Sequence, residues 1–87
     1  MNDGDISVLK ALSDKKRLAI VRKLLENEDY LESLAEKLNL TPSTVSFHLK
    51  KLEDAGLVLF QKEQYYKLYK AKKEKLSWPI FMREFPK

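Results

Sequence analysis

LESLAEKLNLTPSTVSFHLKKLEDAGL, residues 31–57, decides how this chain folds. Leu31, Leu34, Ala35 and Leu38 recur at helical spacing, and residues 39–42 interrupt them. Val45, Leu49 and Leu52 then open a second apolar stripe at i, i+4 and i+7. Thr41 suits an N-cap. Pro42 suits the first helical turn, where its missing N–H costs nothing. Gly56 stands where a helix of that length needs a C′ residue. Two short helices joined by a tight turn make a helix-turn-helix.

The flanks extend this unit. Asp3 or Asp5 can cap a first helix carrying Ile6, Leu9 and Leu12 at i, i+3 and i+6. A second helix follows residues 13–14, with Leu18, Val21, Leu24 and Leu25 on its buried face and Ile20 widening it. Asp29, with Glu32 three residues later, reads as a capping box for the third helix. The fourth runs from Pro42 to about Ala55. After Gly56 the period changes to two: LVLFQ and YYKLYK alternate, and Lys62–Glu63, alone or with Gln61 and Gln64, is short enough for a hairpin loop. Residues 70–77, KAKKEKLS, could add a short helix before Trp78 and Pro79. The predicted fold is therefore mainly α with a β-hairpin, a winged helix-turn-helix of three to four helices plus a two-stranded wing. The predicted domain spans residues 1–77, and residues 78–87 form an apolar tail that packs on it or on a dimer partner.

At 87 residues the chain makes one small domain with little stability to spare, so dimerisation would add useful buried area. It has no cysteine, hence no disulfide, thiolate metal site or thiol nucleophile. No apolar run approaches the ~20 residues of a membrane span, and the acidic start MNDGD is not a signal peptide. The net charge of +4 is unevenly spread. Residues 1–43 carry seven basic and eight acidic side chains; residues 44–87 carry ten and five. The positive half begins at the second helix of the turn motif, which favours a polyanionic partner; an ordinary solvated lysine surface is the plain alternative. One histidine, two glycines and no carboxylate pair in an evident cleft argue against an enzyme, and Ser43 and His48 on one helix make no Ser–His dyad.

With these residues in view, the chain resembles the ArsR-type winged helix-turn-helix regulators of bacteria and archaea. LKALSDKKRLAIVRKLL resembles the family's opening helices, ESLAEKLNLTPSTVSFHLKKLEDAGLV its helix-turn-helix, and YYKL its second wing strand, together about residues 8–70. The resemblance implies a cytoplasmic DNA-binding transcription regulator, usually a homodimer and often a repressor. Many relatives sense metals through a cysteine pair at the start of the helix before the turn, where this chain has Tyr30 and Glu32. Others use ligands in a C-terminal helix, where it has no histidine, and Trp78–Pro79 cuts across that helix's expected place. With no thiolate and no clustered imidazole, neither metal sensing nor a cofactor is expected.

Stepping ~100° per residue from Val45 puts Ser43, Phe47, Lys50 and Asp54 opposite the buried face, with Ser46 and Lys51 on its flanks. The N-terminal part of such a helix enters the major groove, ~12 Å wide, where base edges differ. Pro42, Ser43, Thr44, Ser46 and Phe47 are thus the expected groove residues, and Lys50 and Lys51 the expected phosphate contacts. His48 is either a half-buried hydrogen-bonding residue or, as the resemblance implies, a DNA contact. On the wing, Gln61, Lys62, Gln64 and Lys67 are expected to reach the backbone or minor groove. Lys15, Lys16 and Arg17 oppose the dipole at their helix N-terminus, which points to a flanking phosphate. Tyr65, Tyr66 and Tyr69 read as wing core. The expected dimer surface combines Ile6, Leu9 and Leu12 with Leu76, Trp78, Ile80 and Phe81. The competing function is a winged-helix protein-interaction module using Phe47, Trp78 and the tail.

Overall fold

Asp14 starts the helix on which the rest of the domain is laid. In the computed structural model, which describes residues 3–76, its carboxylate accepts from the N–H groups of Lys16 (2.8 Å) and Arg17 (3.1 Å), capping α2 (Lys15–Glu26). Ile20, Val21 and Leu24 of α2 are buried. Against them pack Leu34 and Ala35 of α3 (Leu31–Leu38) and Val45, Leu49 and Leu52 of α4 (Pro42–Asp54). The helices thus bury the stripes their sequences present, each fully buried Leu or Ile contributing about 1.5–3 kcal/mol. The first helix, α1 (Asp3–Ala11), turns a different face inward from the one its leucines suggest. Val8 and Ala11 are in the core, while Ile6 and Leu9 stay about two-fifths exposed. Asp5 lies within α1 rather than at its cap.

The turn between α3 and α4 is built by three residues. Asn39 takes the left-handed conformation at φ 57°, and the Leu40 N–H reaches back to the Ala35 carbonyl at 2.9 Å. Thr41 then caps α4 and Pro42 enters its first turn, as expected. At the far end Gly56 has φ 76°. Its N–H donates to the Glu53 carbonyl and that of Leu57 to the Leu52 carbonyl, both at 2.9 Å, the two bonds of a Schellman stop. The chain leaves α4 with Leu57 and Val58 buried and runs straight into the sheet.

The wing is β2 (Val58–Glu63) paired antiparallel with β3 (Tyr66–Ala71), in a register that sets Phe60 opposite Tyr69 and Glu63 opposite Tyr66. A third strand joins them. β1 (Asp29–Tyr30) pairs with Tyr69 and Leu68, giving the order β1-β3-β2. Two residues are too few to show any periodicity, which is why the sequence suggests only two strands. The hairpin loop is Gln64–Tyr65: it takes Gln64 from the expected span, while Gln61, Lys62 and Glu63 belong to β2. Gln64 supplies the positive φ (54°) that Gly or Asn more often supplies.

Asp29 differs from expectation for the same reason. Drawn into β1, it does not box the start of α3, whose N-cap Tyr30 makes no side-chain cap bond. Of the stretch 70–77, the described residues 70–76 do not form a helix of length. β3 runs to Ala71, the Lys72 N–H closes on the Leu57 carbonyl at 2.8 Å, and one 3-10 turn (Lys73–Lys75) delivers Leu76 into the core. No helix among the described residues is long and apolar enough to cross a membrane.

Candidate nucleic-acid interface

The N-terminus of α4 presents a cluster of hydroxyls. The Thr41 hydroxyl accepts from the Thr44 N–H at 3.2 Å, donates to the Thr44 hydroxyl at 2.8 Å, and lies 3.3 Å from that of Ser43. Thr44 is half-buried, its hydroxyl held by the cap, while Pro42 and Ser43 are exposed. Ser46, Phe47, Lys50 and Lys51 continue this outer face. Phe47 is 57% exposed, a large apolar surface to leave in water. Its ring sits edge-on to His48 (centroids 5.2 Å apart), with the Lys51 ammonium 5.4 Å from its centre. Lys50 leans along the helix to Asp54 at 3.3 Å, a surface pair of little energy that a phosphate could displace.

His48 faces the other way. It is 6% exposed, pointing at the start of α2, where its Nε2 is 4.0 Å from the Asp14 carboxylate. Burial, with the Arg17 and Lys16 charges, outweighs Asp14 and holds its pKa below the ordinary value of 6.5, so the ring is neutral at pH 7. Asp14 in turn is held below the usual carboxylate range, chiefly by the N–H of Arg17. His48 Nδ1 and Arg17 Nε are buried without a hydrogen-bond partner. His48 is thus buried more deeply than the half-buried, hydrogen-bonding placement expected from sequence, and its Nδ1 has no hydrogen-bond partner.

This contact brings α2 to the reading helix. A cavity of about 430 Å³ opens between the end of α1, the start of α2 and α4, lined among others by Lys10, Arg17, Phe47 and Lys51. Lys15 and Lys16 are exposed beside it. No sequence pattern singles out Lys10; its place one turn before the Ser13–Asp14 break is the sole signal. Asp14 and Asp54 also line this cavity and temper its charge.

On the wing Lys62 and Lys67 stand directly opposite each other, an arrangement that costs stability unless an anion lies between or beside them. The Lys67 ammonium lies 4.3 Å from the centre of the Phe60 ring. Gln61 and Gln64 are exposed, and Tyr65 at the tip is 91% exposed. Of the three tyrosines read as wing core only Tyr69 is buried; Tyr66 is 61% exposed. A two-residue loop at Gln64–Tyr65 lifts Tyr65 clear of both sheet faces.

Of the expected dimer surface, Ile6 and Leu9 are exposed, Leu12 is half-buried and Leu76 belongs to the chain's own core. Trp78, Ile80 and Phe81 lie outside the described residues, as does the tail invoked for protein interaction. The Tyr30 hydroxyl donates to Glu63 Oε1 at 2.7 Å. Among the described residues no three His, Cys, Asp or Glu side chains converge to hold a metal ion.

Comparison with known proteins places this arrangement. Residues 14–59 match the family described as bacterial regulatory protein, arsR family. Over 58 residues, covering 64% of this chain, it is 41% identical to the uncharacterised HTH-type transcriptional regulator YceK of Bacillus subtilis. Over 58 residues, covering 67% of this chain, it is 40% identical to the transcriptional activator HlyU of Vibrio cholerae. These matches span 58% and 54% of the two relatives' lengths. Among solved structures, reduced HlyU from Vibrio cholerae superposes with a TM-score of 0.81 at 30% identity, over 97% of this chain and 90% of that one. The homodimeric winged helix-turn-helix DNA-binding domain of Mb0332 from Mycobacterium bovis superposes with a TM-score of 0.84 at 28% identity, over 94% of this chain and 75% of that one.

Proposed function

The chain belongs to the arsR family of bacterial regulatory proteins, and we propose that it binds specific double-stranded DNA sequences as a homodimer and represses transcription in the cytoplasm of a bacterial or archaeal cell. The observation that carries this reading is Phe47. A ring 57% exposed in the middle of a helix, ringed by Ser43, Ser46, Lys50 and Lys51, is explained if the face is covered. A major groove covers it with thymine methyls and sugar edges while the hydroxyls meet base edges and the lysines meet phosphates. Lys15, Lys16 and Arg17 supply a flanking clamp and Lys62, Gln64 and Lys67 the wing's hold on the backbone.

Ile6 and Leu9 of α1 are the surface proposed to meet the second copy, with Leu12 at its edge; the homodimeric Mycobacterium bovis neighbour supports a two-fold arrangement. The test is selection of bound duplexes from random DNA. Inverted repeats with half-sites ~10–10.5 bp apart, or a multiple of that, are the expected product; recovery of no common sequence overturns the reading. The Vibrio relative is named an activator, so the sign of regulation needs its own test. A promoter fusion carrying the selected operator should lose expression when the protein is supplied, and a gain would contradict repression.

A further inference from the structure

We propose that the groove between the start of α3 and the wing binds a small organic cation bearing aromatic or alkyl groups. The groove encloses about 740 Å³, within the range of small-molecule sites. All four tyrosines of the chain line it: Tyr30, Tyr65, Tyr66 and Tyr69. Tyr30, Tyr65 and Tyr66 are exposed, so aromatic faces stand open to a ligand. Tyr30 and Tyr66 already meet edge to face, their centroids 6.1 Å apart, and form one wall. The opening exists because β1 pairs only Leu68 and Tyr69 before the chain turns into α3, leaving the last turn of the wing without a strand on that side.

Charge selects the ligand class. In a chain of net charge +4 this is an acidic place. Glu32 lines the groove, and Glu63 stands at its wall on the Tyr30 hydroxyl. Of the neighbouring acids, Asp29 is paired with Lys37 and Glu28 with Lys70. Among the described residues neither Glu32 nor Glu63 has a cation within ion-pair reach. The one lysine on the lining, Lys67, lies with its ammonium against Phe60. Aromatic faces with two uncompensated carboxylates attract an organic cation by the ring quadrupole and by direct charge.

Occupancy would act on the wing. A cation that takes Glu63, or that wedges between Tyr30 and Tyr66, breaks the 2.7 Å bond tying the end of β2 to the residue before α3. The wing then shifts relative to α4, whose Ser46 shares the groove. This consequence, unlike the site itself, rests on the DNA-binding reading above.

Tetraphenylphosphonium and tetraphenylborate, alike in shape and opposite in charge, test the site by calorimetry on the whole chain without DNA. The phosphonium is expected to bind saturably, one per chain. Glu63→Gln, Glu32→Gln and Tyr66→Ala should each weaken it about threefold or more, and Glu36→Gln on the exposed side of α3 should not. Equal binding of both ions, or phosphonium binding indifferent to all three groove variants, overturns the proposal. Glu32 is exposed, so its variant reads the site even if a wing variant folds poorly. A second titration measures operator affinity with the phosphonium present. A fall in affinity supports the link to the wing, and an unchanged affinity overturns that link alone. A chain that binds the phosphonium but no DNA overturns the regulator reading and leaves the site standing.

Discussion

The Asp29 carboxylate lies 2.7 Å from the Lys37 ammonium and joins the strand before α3 to that helix's last turn. The same carboxylate accepts from the Tyr30 N–H at 2.8 Å and the Ser33 hydroxyl at 3.0 Å. Burial alone would raise its pKa, but these three donors and the Lys37 charge outweigh it and hold the carboxyl below the ordinary 3.8. Asp29 thus holds the first helix of the reading motif to the sheet. Asp29→Ala strands three donors and is expected to cost about 2 kcal/mol, lowering Tm by roughly 8–16 °C. Thermal unfolding followed by circular dichroism checks it. Because the folded pKa is depressed, the contribution of Asp29 is complete above the unfolded value and is lost as pH falls below 3.8.

His48 gives a pH dependence of the same direction in a higher window. Its folded pKa lies below the unfolded 6.5, so the unfolded chain binds the proton more readily. Stability is unaffected well above pH 6.5 and falls as pH drops below it. His48→Leu removes this titration, and it fits the apolar stripe of Val45, Leu49 and Leu52. The Tm of the variant should change less between pH 7.5 and 5 than that of the parent. Parallel curves would show that His48 does not titrate in this way.

Gly56 stands at φ 76° with nothing within 4 Å of where a Cβ would be. Gly56→Ala therefore meets no clash and carries only the left-handed backbone cost, about 1–2 kcal/mol. Gly56→Asn should recover part of the loss. Denaturant midpoints at unchanged slope are the measurement.

Ile6 and Leu9 are exposed on α1 while Val8 and Ala11 anchor it. Replacing both Ile6 and Leu9 by Glu should leave the helix docked and convert a dimer to a monomer by light scattering. An unchanged mass would place the two-fold contact elsewhere or nowhere.

Residues with a strong local signature could be read ahead of the structure. The Thr41–Pro42 start and the Gly56 stop of α4 follow from backbone chemistry that sequence displays directly. So does the buried stripe of Val45, Leu49 and Leu52. Pairings between distant segments could not be read. Asp29 and Glu32 have the spacing of a capping box, yet tertiary pairing of Asp29 with Tyr69 takes the carboxylate to Ser33 and Lys37 instead. Tyr65 and Tyr66 alternate as strand core should, but a turn set two residues later leaves them exposed. His48 sits at the edge of a helical stripe, and only the position of Asp14 across from it settles which way it faces. Leu76 has no periodic neighbours, so its role as a core plug depends on the 3-10 turn that carries it.

The central claim is that the outer face of α4 reads base edges while the surrounding cations hold phosphates. It is tested most directly by measuring affinity for a selected operator and for unrelated duplex, across a salt series, for the parent, Phe47→Ala, Ser43→Ala and Lys51→Ala. The account predicts that Phe47→Ala and Ser43→Ala each lower the ratio of specific to nonspecific affinity, by about 1–3 kcal/mol for a lost base contact. They should leave the salt slope intact. Lys51→Ala should weaken both duplexes alike and reduce the slope by about 1. A specificity ratio that survives both Phe47→Ala and Ser43→Ala would contradict the account.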